Sequence, residues 1–482
     1  MKEVNSGNYL SLSEFHQLLH QQKTSCVDRV RYYLTNIKLK SHLNVFLSVY
    51  ETEALKKAEE IDQKIKEGRA GQLAGLVVGL KDVYSHKDHP LQAASKILDG
   101  FVAQYNATIV QRLIDEDAII IGRQNCDEFA MGSSNENSAY GPTLNPIDES
   151  RVPGGSSGAS AVAVAADMCQ ISIGSDTGGS VRQPAAFCGV VGLKPTYSRI
   201  SRYGLVAYGS SFDCVGILAR HIGDIELVLK VIAGKDEMDS TVSLREVPDP
   251  APSRIDHKQQ KYRIVYPTEV LQGDVLQKEI KQKIENCISY LRKNGHTVEG
   301  IDFPLMKYAL PTYYILATAE ASSNLSRYDG VRYGLRSQNL HDLESLYKKT
   351  RNEGFGKEVK RRILLGTFVL SANYYDAYYT KAQRVRRLIR DHTRKLFEQY
   401  DFLLMPTTPT TAFKLGEHTE SPMEMYLADL FSVHANVAGV PAISLPVGED
   451  DSGLPIGLQL VANDFQENEL FRISKELMNF VE

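Results

Sequence analysis

The amino-acid sequence predicts an α/β protein with a largely buried, mixed or parallel β-sheet. Short apolar runs of strand length alternate along the chain with longer segments whose apolar residues recur at helical spacing. Alternation at this interval is typical of a sheet that is covered by helices. The predicted strands are 76–81, 118–122, 170–174, 262–266 and 297–301, and the predicted helices are 51–68, 107–116, 160–166, 222–234 and 276–294.

The N-terminal part of the chain, 1–70, is predicted to be a helical cover. Ser11 or Ser13 can cap a helix that begins near Glu14, because a serine hydroxyl satisfies free N–H groups of the first turn. A charged, alanine-rich segment then ends at Gly68, a residue typical of helix ends.

Nothing in the sequence resembles a linker or an internal repeat, so residues 1–482 are predicted to form a single domain. Residues 71–240 are expected to contain the core. The proline-rich, charged segment 245–261 is predicted to be an exposed excursion. Residues 307–400, rich in Tyr and Arg, are predicted to be a mainly helical cover over one side of the sheet.

Composition excludes several classes of protein. The formal net charge of −4 provides no overall electrostatic footprint for nucleic acid. No apolar run reaches the roughly 18 residues that a membrane span needs, and the first residues lack the pattern of a signal peptide. The six cysteines lie far apart without CxxC pairs, which predicts buried, reduced thiols. We therefore expect a cytoplasmic protein that does not contact a membrane.

One basic stretch, 381–395, contains arginines at positions 384, 386, 387, 390 and 394. The favoured interpretation is the solvated face of an amphipathic helix. The alternative is a docking surface for an acidic partner.

Three segments carry groups suited to nucleophilic chemistry. In the first, an apolar run ends in Lys81, and burying an ammonium is costly unless the group is paired or neutralised. A lone lysine of this kind is more often one that reaches solvent at a strand end. The functional alternative is a base whose pKa is lowered by burial.

The second segment, 153–160, combines glycines with Ser156, Ser157 and Ser160 ahead of a small, apolar helix. Alone, such a segment is most often a flexible turn or a helix cap. Its spacing fits neither a phosphate-binding P-loop nor a dinucleotide fingerprint. It is best described as a cluster of hydroxyls on tightly folded backbone at a helix start.

The third segment, 171–189, places Ser180 after two glycines that follow a predicted strand. Glycines allow close approach of a reacting carbonyl to backbone N–H groups. A nucleophilic serine needs a base within reach, but none of the 12 histidines has a suitable context, and Ser180 does not stand in a GxSxG elbow. A relay would use all three segments: neutral Lys81 takes a proton from Ser156, which takes one from Ser180.

Lys81, the GGSSGAS run and the segment 175–196 together resemble the amidase signature family, over essentially the whole chain. The resemblance implies that family's fold, a central mixed sheet with helices on both faces, and its Ser–cis-Ser–Lys catalytic set. It assigns Ser180 as the nucleophile, Ser156 as the serine after a cis peptide bond, and Lys81 as the base. The implied oxyanion hole consists of the backbone N–H groups of Thr177, Gly178, Gly179 and Ser180.

The runs 319–334, 360–368 and 374–379 resemble one branch of this family, the glutaminase subunits of tRNA-dependent amidotransferases. That resemblance implies glutamine hydrolysis that supplies ammonia for converting Glu-tRNA(Gln) to Gln-tRNA(Gln), or Asp-tRNA(Asn) to Asn-tRNA(Asn), in an ATP-dependent reaction. The implied partners are a kinase/transamidase subunit of B type, a small subunit of C type, and charged tRNA through the complex. No cofactor is expected in this chain, and ATP and Mg²⁺ are expected in the partner.

The branch also implies a glutamine pocket. Arg362 is expected to bind the α-carboxylate and Asp429 the α-ammonium, because an arginine fork suits a carboxylate and an aspartate suits an ammonium. Without the resemblance, Arg362 would be interpreted as a surface salt-bridge partner of Glu358, and Asp429 as a helix-surface carboxylate.

Two assignments in the pocket stay open between neighbours. Tyr313 matches a substrate-contacting tyrosine, with Tyr314 as the alternative, and Arg361 is the alternative to Arg362. The competing hypothesis for the whole chain is a stand-alone amidase acting on aryl or acyl amides. It shares the catalytic set but predicts an apolar pocket without the pair of Arg362 and Asp429.

Overall fold

The computed structural model describes residues 10–247, 260–338, 340–419 and 421–481. Most of the predicted excursion 245–261 therefore lies outside the described residues. In the described part of the chain, eleven strands form a mixed sheet, which confirms the predicted α/β class.

The elements are numbered in chain order. The strands are β1 (Phe46–Val49), β2 (Val77–Lys81), β3 (Ile119–Gln124), β4 (Ile171–Asp176), β5 (Val191–Lys194), β6 (Cys214–Ala219), β7 (Arg263–Pro267), β8 (Thr297–Ile301), β9 (Phe402–Pro406), β10 (Ala442–Glu449) and β11 (Pro455–Ala462). The helices are α1 (Leu12–His20), α2 (Cys26–Leu39), α3 (Glu51–Lys66), α4 (Thr108–Asp115), α5 (Gly158–Ala165), α6 (Arg182–Cys188), α7 (Ile222–Ile232), α8 (Thr268–Gln272), α9 (Lys278–Lys293), α10 (Ala309–Asn324), α11 (Leu343–Gly354), α12 (Lys357–Val369), α13 (Lys381–Leu396), α14 (Pro422–Leu427), α15 (Val433–Ala438) and α16 (Glu467–Val481).

The sheet runs in the order β1-β3-β2-β4-β6-β5-β10-β11-β9-β7-β8. The pairs β2–β3, β2–β4, β7–β8 and β7–β9 are parallel, and the other pairs are antiparallel. Every residue of β2, β4 and β11 is buried. Because side chains alternate between the two faces of a strand, the middle of the sheet is covered on both faces.

The predicted helical cover at 1–70 needs one correction. Helices α1 and α3 form as predicted, and Ser11 caps α1 in a reciprocal capping box with Glu14. However, the short segment between α2 and α3 forms β1, which pairs antiparallel with β3 at the edge of the sheet. Four residues carry too weak a local pattern, and the neighbouring strand decides their conformation.

The predicted cover at 307–400 is helical. Helix α10 packs on α12 and α13, both α10 and α13 pack on α15, and α11 packs on the segment Lys96–Leu98. Helix α13 buries Ala382, Ile389 and Thr393, while most of its arginines are exposed, which confirms the predicted amphipathic helix. All six cysteines are buried and unpaired, as their spacing predicts. Among the described helices, none combines the length and apolar character that crossing a bilayer requires.

Candidate active site

The three predicted segments meet at one edge of the sheet. Lys81 is the last residue of β2, and β2 pairs in parallel with β4. The carboxyl ends of parallel neighbours lie at the same edge, so Lys81 faces the end of β4 and the turn at 177–181 that follows it. Helix α5, which begins at Gly158, packs on both strands and brings the serine cluster to this edge.

Lys81 lies fully buried among three serine hydroxyls. Its Nζ is 2.7 Å from Oγ of Ser156, 2.9 Å from Oγ of Ser157 and 2.9 Å from Oγ of Ser175. Burial lowers the pKa of Lys81 to about 8, because a low dielectric disfavours the ammonium. The alternative of a lysine that reaches solvent at a strand end is wrong.

The number of N–H donors on Lys81 decides which serine hydroxyl can donate a proton to it. An ammonium has three N–H donors, whereas a neutral amine has two and a lone pair that accepts. Ser157 already donates its hydroxyl proton to the carbonyl oxygen of Ser175 at 3.1 Å, so it serves Lys81 as an acceptor. When Lys81 is neutral, the proton that fills its lone pair must come from Ser156 or Ser175, and Ser156 is the closer of the two.

Ser180 is nearly buried, at 8% exposure, on the turn between β4 and α6. Its carbonyl oxygen accepts a bond of 3.0 Å from the N–H of Ser157, which ties this turn to the serine cluster. In the described part of the chain, no hydrogen bond engages Oγ of Ser180 or the hydroxyl proton of Ser156. The peptide bond between Gly155 and Ser156 is cis.

The turn before Ser180 is held by a buried ion pair. Arg182 contacts both carboxylate oxygens of Asp176, at 3.0 and 2.9 Å. Burial acts to raise the pKa of Asp176, but the attraction of Arg182 outweighs burial and lowers this pKa to about 2. The same carboxylate accepts from the N–H groups of Gly179 at 2.9 Å and Val181 at 3.2 Å.

This arrangement corrects the predicted oxyanion hole. The N–H of Gly179 is not free, because a buried carboxylate must be satisfied and Asp176 takes that donor. The role of Gly179 is instead conformational. Its φ is +127°, which residues with a side chain rarely adopt, and a Cβ at this position would collide with Ser432. Among the described residues, the N–H groups of Thr177, Gly178 and Ser180 have no partner.

Arg362 is buried on α12 and is held by two side chains. Its Nε donates to Glu358 at 2.8 Å and its Nη1 donates to the hydroxyl of Tyr208 at 2.7 Å. The pair with Glu358 therefore exists, but it is an interior pair at 3% and 9% side-chain exposure, not a surface one. Arg361 also contacts Glu358, yet its side chain is 32% exposed.

Asp429 is buried directly after α14, so it is not a helix-surface carboxylate. It accepts from Oγ of Ser133 at 2.8 Å and from the hydroxyl of Tyr314 at 2.9 Å. Burial outweighs these bonds and raises the pKa of Asp429 to about 7. The guanidinium carbon of Arg362 lies 5.4 Å from the ring centroid of Tyr314, so this tyrosine contacts both charged residues.

Tyr313 faces the catalytic turn. An added Cβ on Gly178 would lie 2.4 Å from Cζ of Tyr313, so the ring packs directly on that glycine. The rings of Tyr313 and Tyr314 are 5.0 Å apart. Ser432, three residues after Asp429, donates to the carbonyl oxygen of Gly178 at 2.7 Å. The two opposite charges therefore adjoin the turn that carries Ser180.

Sequence reasoning missed the residues that hold the predicted ones in place. Ser175, Tyr208 and Ser133 each bond a predicted site residue, whereas the spacing of four residues already offers Glu358 as a partner of Arg362. Ser175 could have been found, because it stands one residue past the predicted strand 170–174 beside Lys81. Tyr208 and Ser133 come from distant segments and carry no local signal.

Relatives of known identity share this sequence over nearly its whole length. The chain is 50% identical, over 97% of its own length and 98% of the relative, to the A subunit of glutamyl-tRNA(Gln) amidotransferase from Chlorobium phaeobacteroides strain BS1. The protein of the same name from Clostridium botulinum is also 50% identical, over 96% of each chain.

A solved structure and a family model agree with these relatives. The crystal structure of the glutamyl-tRNA(Gln) amidotransferase A subunit from Thermotoga maritima superposes with a TM-score of 0.78 at 39% identity, over 95% of this chain and 92% of that one. The sequence matches the family described as Amidase over residues 28–471. The chain belongs to the amidase signature family.

Proposed function

We propose that this chain is the glutamine-hydrolysing A subunit of a tRNA-dependent amidotransferase, which releases ammonia for the conversion of Glu-tRNA(Gln) to Gln-tRNA(Gln). The observation that carries the proposal is the pair of buried opposite charges, Arg362 and Asp429, on Tyr314 beside the turn of Ser180. Arg362 offers a positive charge to the α-carboxylate of a free amino acid, and Asp429 offers a negative charge to its α-ammonium.

In the proposed mechanism, neutral Lys81 accepts the hydroxyl proton of Ser156 while Ser156 accepts that of Ser180. Oγ of Ser180 then attacks the side-chain carboxamide carbon of glutamine. The carbonyl oxygen becomes an oxyanion, which the N–H groups of Thr177, Gly178 and Ser180 can stabilise.

Collapse of this intermediate breaks the carbon–nitrogen bond. The proton held by Lys81 returns through Ser156 to the leaving nitrogen, so ammonia departs and a γ-glutamyl ester remains on Ser180. A water molecule, deprotonated by the same relay, attacks the ester. Glutamate leaves and Ser180 recovers its proton.

The partners and cofactors of the reaction lie outside this chain in our proposal. Subunits of B and C type would complete the complex, with ATP and Mg²⁺ in the B-type subunit, where the tRNA-bound carboxylate is activated. The net charge of −4 supports placing the main tRNA contacts on a partner. The six unpaired cysteines support a cytoplasmic location.

The stand-alone amidase is not favoured. It predicts an apolar pocket, whereas the structure buries Arg362, Glu358 and Asp429 beside the catalytic turn. Burying three ionisable side chains is costly, and an aryl or acyl amide would offer them no matching charge.

The test is glutaminase activity of the assembled complex carrying Ser180→Ala. We expect turnover to fall by about 10⁴ or more, as is usual for loss of a nucleophile. Ser452→Ala, at an exposed turn, is the matched control and should retain full activity. Ordinary turnover by the Ser180 variant would overturn the proposed nucleophile, and activity on aryl amides but not on glutamine would overturn the proposed substrate.

A further inference from the structure

A cavity of about 570 Å³, separate from the candidate active site, lies along α13. The arginines at 386, 387, 390 and 394 line it, facing the segments 196–198, 437–439 and 464–465. None of the proposed catalytic or glutamine-binding residues is among the described residues of its lining. Its volume is in the range of small-molecule sites, which is roughly 300–1,000 Å³.

The lining carries a surplus of positive charge. Its one acidic member among the described residues is Asp464, which pairs with Arg394 at 2.9 Å. Arg387 reaches Asp391, one turn further along α13, at 3.5 Å. Arg390 has neither a carboxylate nor a hydrogen-bond partner in the described ranges. The cavity thus presents more guanidinium groups than the chain neutralises.

Arg386 is half-buried and held by neutral groups. It donates to Oγ of Ser211 at 2.6 Å and to the carbonyl oxygen of Ser211 at 2.7 Å, and its guanidinium lies 4.0 Å from the ring centroid of Phe212. The carboxylate of Glu320 accepts from the N–H and the hydroxyl of Ser211, and among the described residues it forms no ion pair with Arg386. Burial lowers the pKa of Arg386, and the attraction of Glu320 offsets this effect only in part. Arg386 is therefore fixed in direction before any ligand arrives.

The form of the site points to a phosphate-bearing ligand. The guanidinium group of arginine can donate paired hydrogen bonds to phosphate oxygens. A phosphate group carries up to about two negative charges and three acceptor oxygens, so several arginines are needed to bind it. Ser198 and Gln383 add neutral polar groups to the lining, and Val437 and Phe465 add apolar ones. We propose that this cavity is an anion site that binds a phosphate group, presented by a free nucleotide or by RNA.

The test uses the full chain as purified and isothermal titration calorimetry. The probes are inorganic pyrophosphate, AMP and a short single-stranded RNA, each at about 50 mM and about 200 mM NaCl. We expect pyrophosphate to bind, and its affinity to fall about tenfold in Arg390→Gln and in Arg386→Gln. Arg384→Gln is the matched control, since Arg384 is exposed on α13 but does not line the cavity.

The variants and probes separate the outcomes. Because Arg390 makes no hydrogen bond or ion pair within the described ranges, Arg390→Gln should fold normally even if Arg386→Gln disturbs Ser211. If AMP displaces pyrophosphate and binds more tightly than the RNA, the natural ligand is a free nucleotide. If the RNA binds more tightly than AMP, the natural ligand is RNA. If Arg384→Gln weakens pyrophosphate binding as much as the other two substitutions, the effect is one of overall charge and the proposed site is overturned. Failure of all three probes to bind at low salt would also overturn it.

Discussion

The phenol of Tyr314 donates a hydrogen bond of 2.9 Å to the carboxylate of Asp429. Its chain neighbour Tyr313 instead packs on Gly178. Two adjacent tyrosines thus serve different parts of the proposed site, one the ammonium-binding carboxylate and the other the catalytic turn.

This division predicts distinct phenotypes for the two tyrosines. In Tyr314→Phe, Asp429 loses a donor that stabilises its charged form, so its pKa should rise and the KM for glutamine should increase at neutral pH. In Tyr313→Phe, the ring on Gly178 is kept, and KM should change by less than in Tyr314→Phe. Steady-state kinetics at pH 7 and pH 8.5 check both variants. A larger KM effect in Tyr313→Phe would reverse the assignment.

Asp429→Asn tests the charge that binds ammonium. The amide keeps the shape but not the charge, so the KM for glutamine should rise about 10- to 100-fold, the usual result for a lost charged hydrogen bond. Because folding raises the pKa of Asp429 to about 7, ionisation of this carboxyl lowers stability progressively as the pH rises from about 4, its usual value, to about 7, and the full loss is present above that. Asp429→Asn should therefore melt no lower than the parent at pH 8. An unchanged KM would remove Asp429 from the pocket.

Arg362 and Arg361 can be separated by matched substitutions. Arg362→Gln removes the buried guanidinium and leaves Glu358 with weaker partners, so unfolding should become easier by about 3 kcal/mol. The KM for glutamine should rise at least tenfold. Arg361→Gln changes the same charge on a more exposed side chain, and its effect on stability should stay within about 0.5 kcal/mol. The reverse ranking of KM effects would favour Arg361.

The pH dependence of kcat/KM follows from two side chains. Lys81 must be neutral to accept a proton and Asp429 must be charged to bind ammonium, and their pKa values are about 8 and about 7. With rising pH, kcat/KM should climb steeply below pH 7, more gently between pH 7 and pH 8, and then level off. In Asp429→Asn, kcat/KM should no longer rise more steeply below pH 7, and only the gentler rise toward pH 8 should remain. Ser157→Ala removes an acceptor from the ammonium of Lys81 and should move the upper inflection to lower pH.

The sequence predicts the strands that carry the catalytic residues better than it predicts the middle of the sheet. The strands ending at Lys81 and Asp176 are short and apolar, and the second is followed by a glycine-rich turn, so the residue pattern and the turn residues agree there. Local patterns do not predict strands β5, β6 and β9 to β11, because the neighbouring strands of the folded sheet decide their conformation. The prediction of helix at the edge strand β1 is wrong for the same reason.

The glutamine pocket shows a similar limit. Arg362 and Asp429 lie on separate segments, and periodicity alone would place both on surfaces. What buries them is tertiary: Tyr208, Ser133 and Tyr314 come from three other places in the chain. The prediction of a free N–H at Gly179 is wrong because Asp176, three residues earlier, takes that donor. Such local competition becomes visible only when the turn is folded.

The central claim, that Lys81 deprotonates Ser180 through Ser156, is tested most directly by covalent labelling. A glutamine analogue with an electrophilic diazoketone in place of the carboxamide would alkylate the activated nucleophile, and peptide mass mapping would locate the label. We predict a label on Ser180 whose rate of formation rises with pH to a plateau above about 8, and no label in Lys81→Ala. A label on another side chain, or a rate on Ser180 that is the same in Lys81→Ala, would contradict the relay.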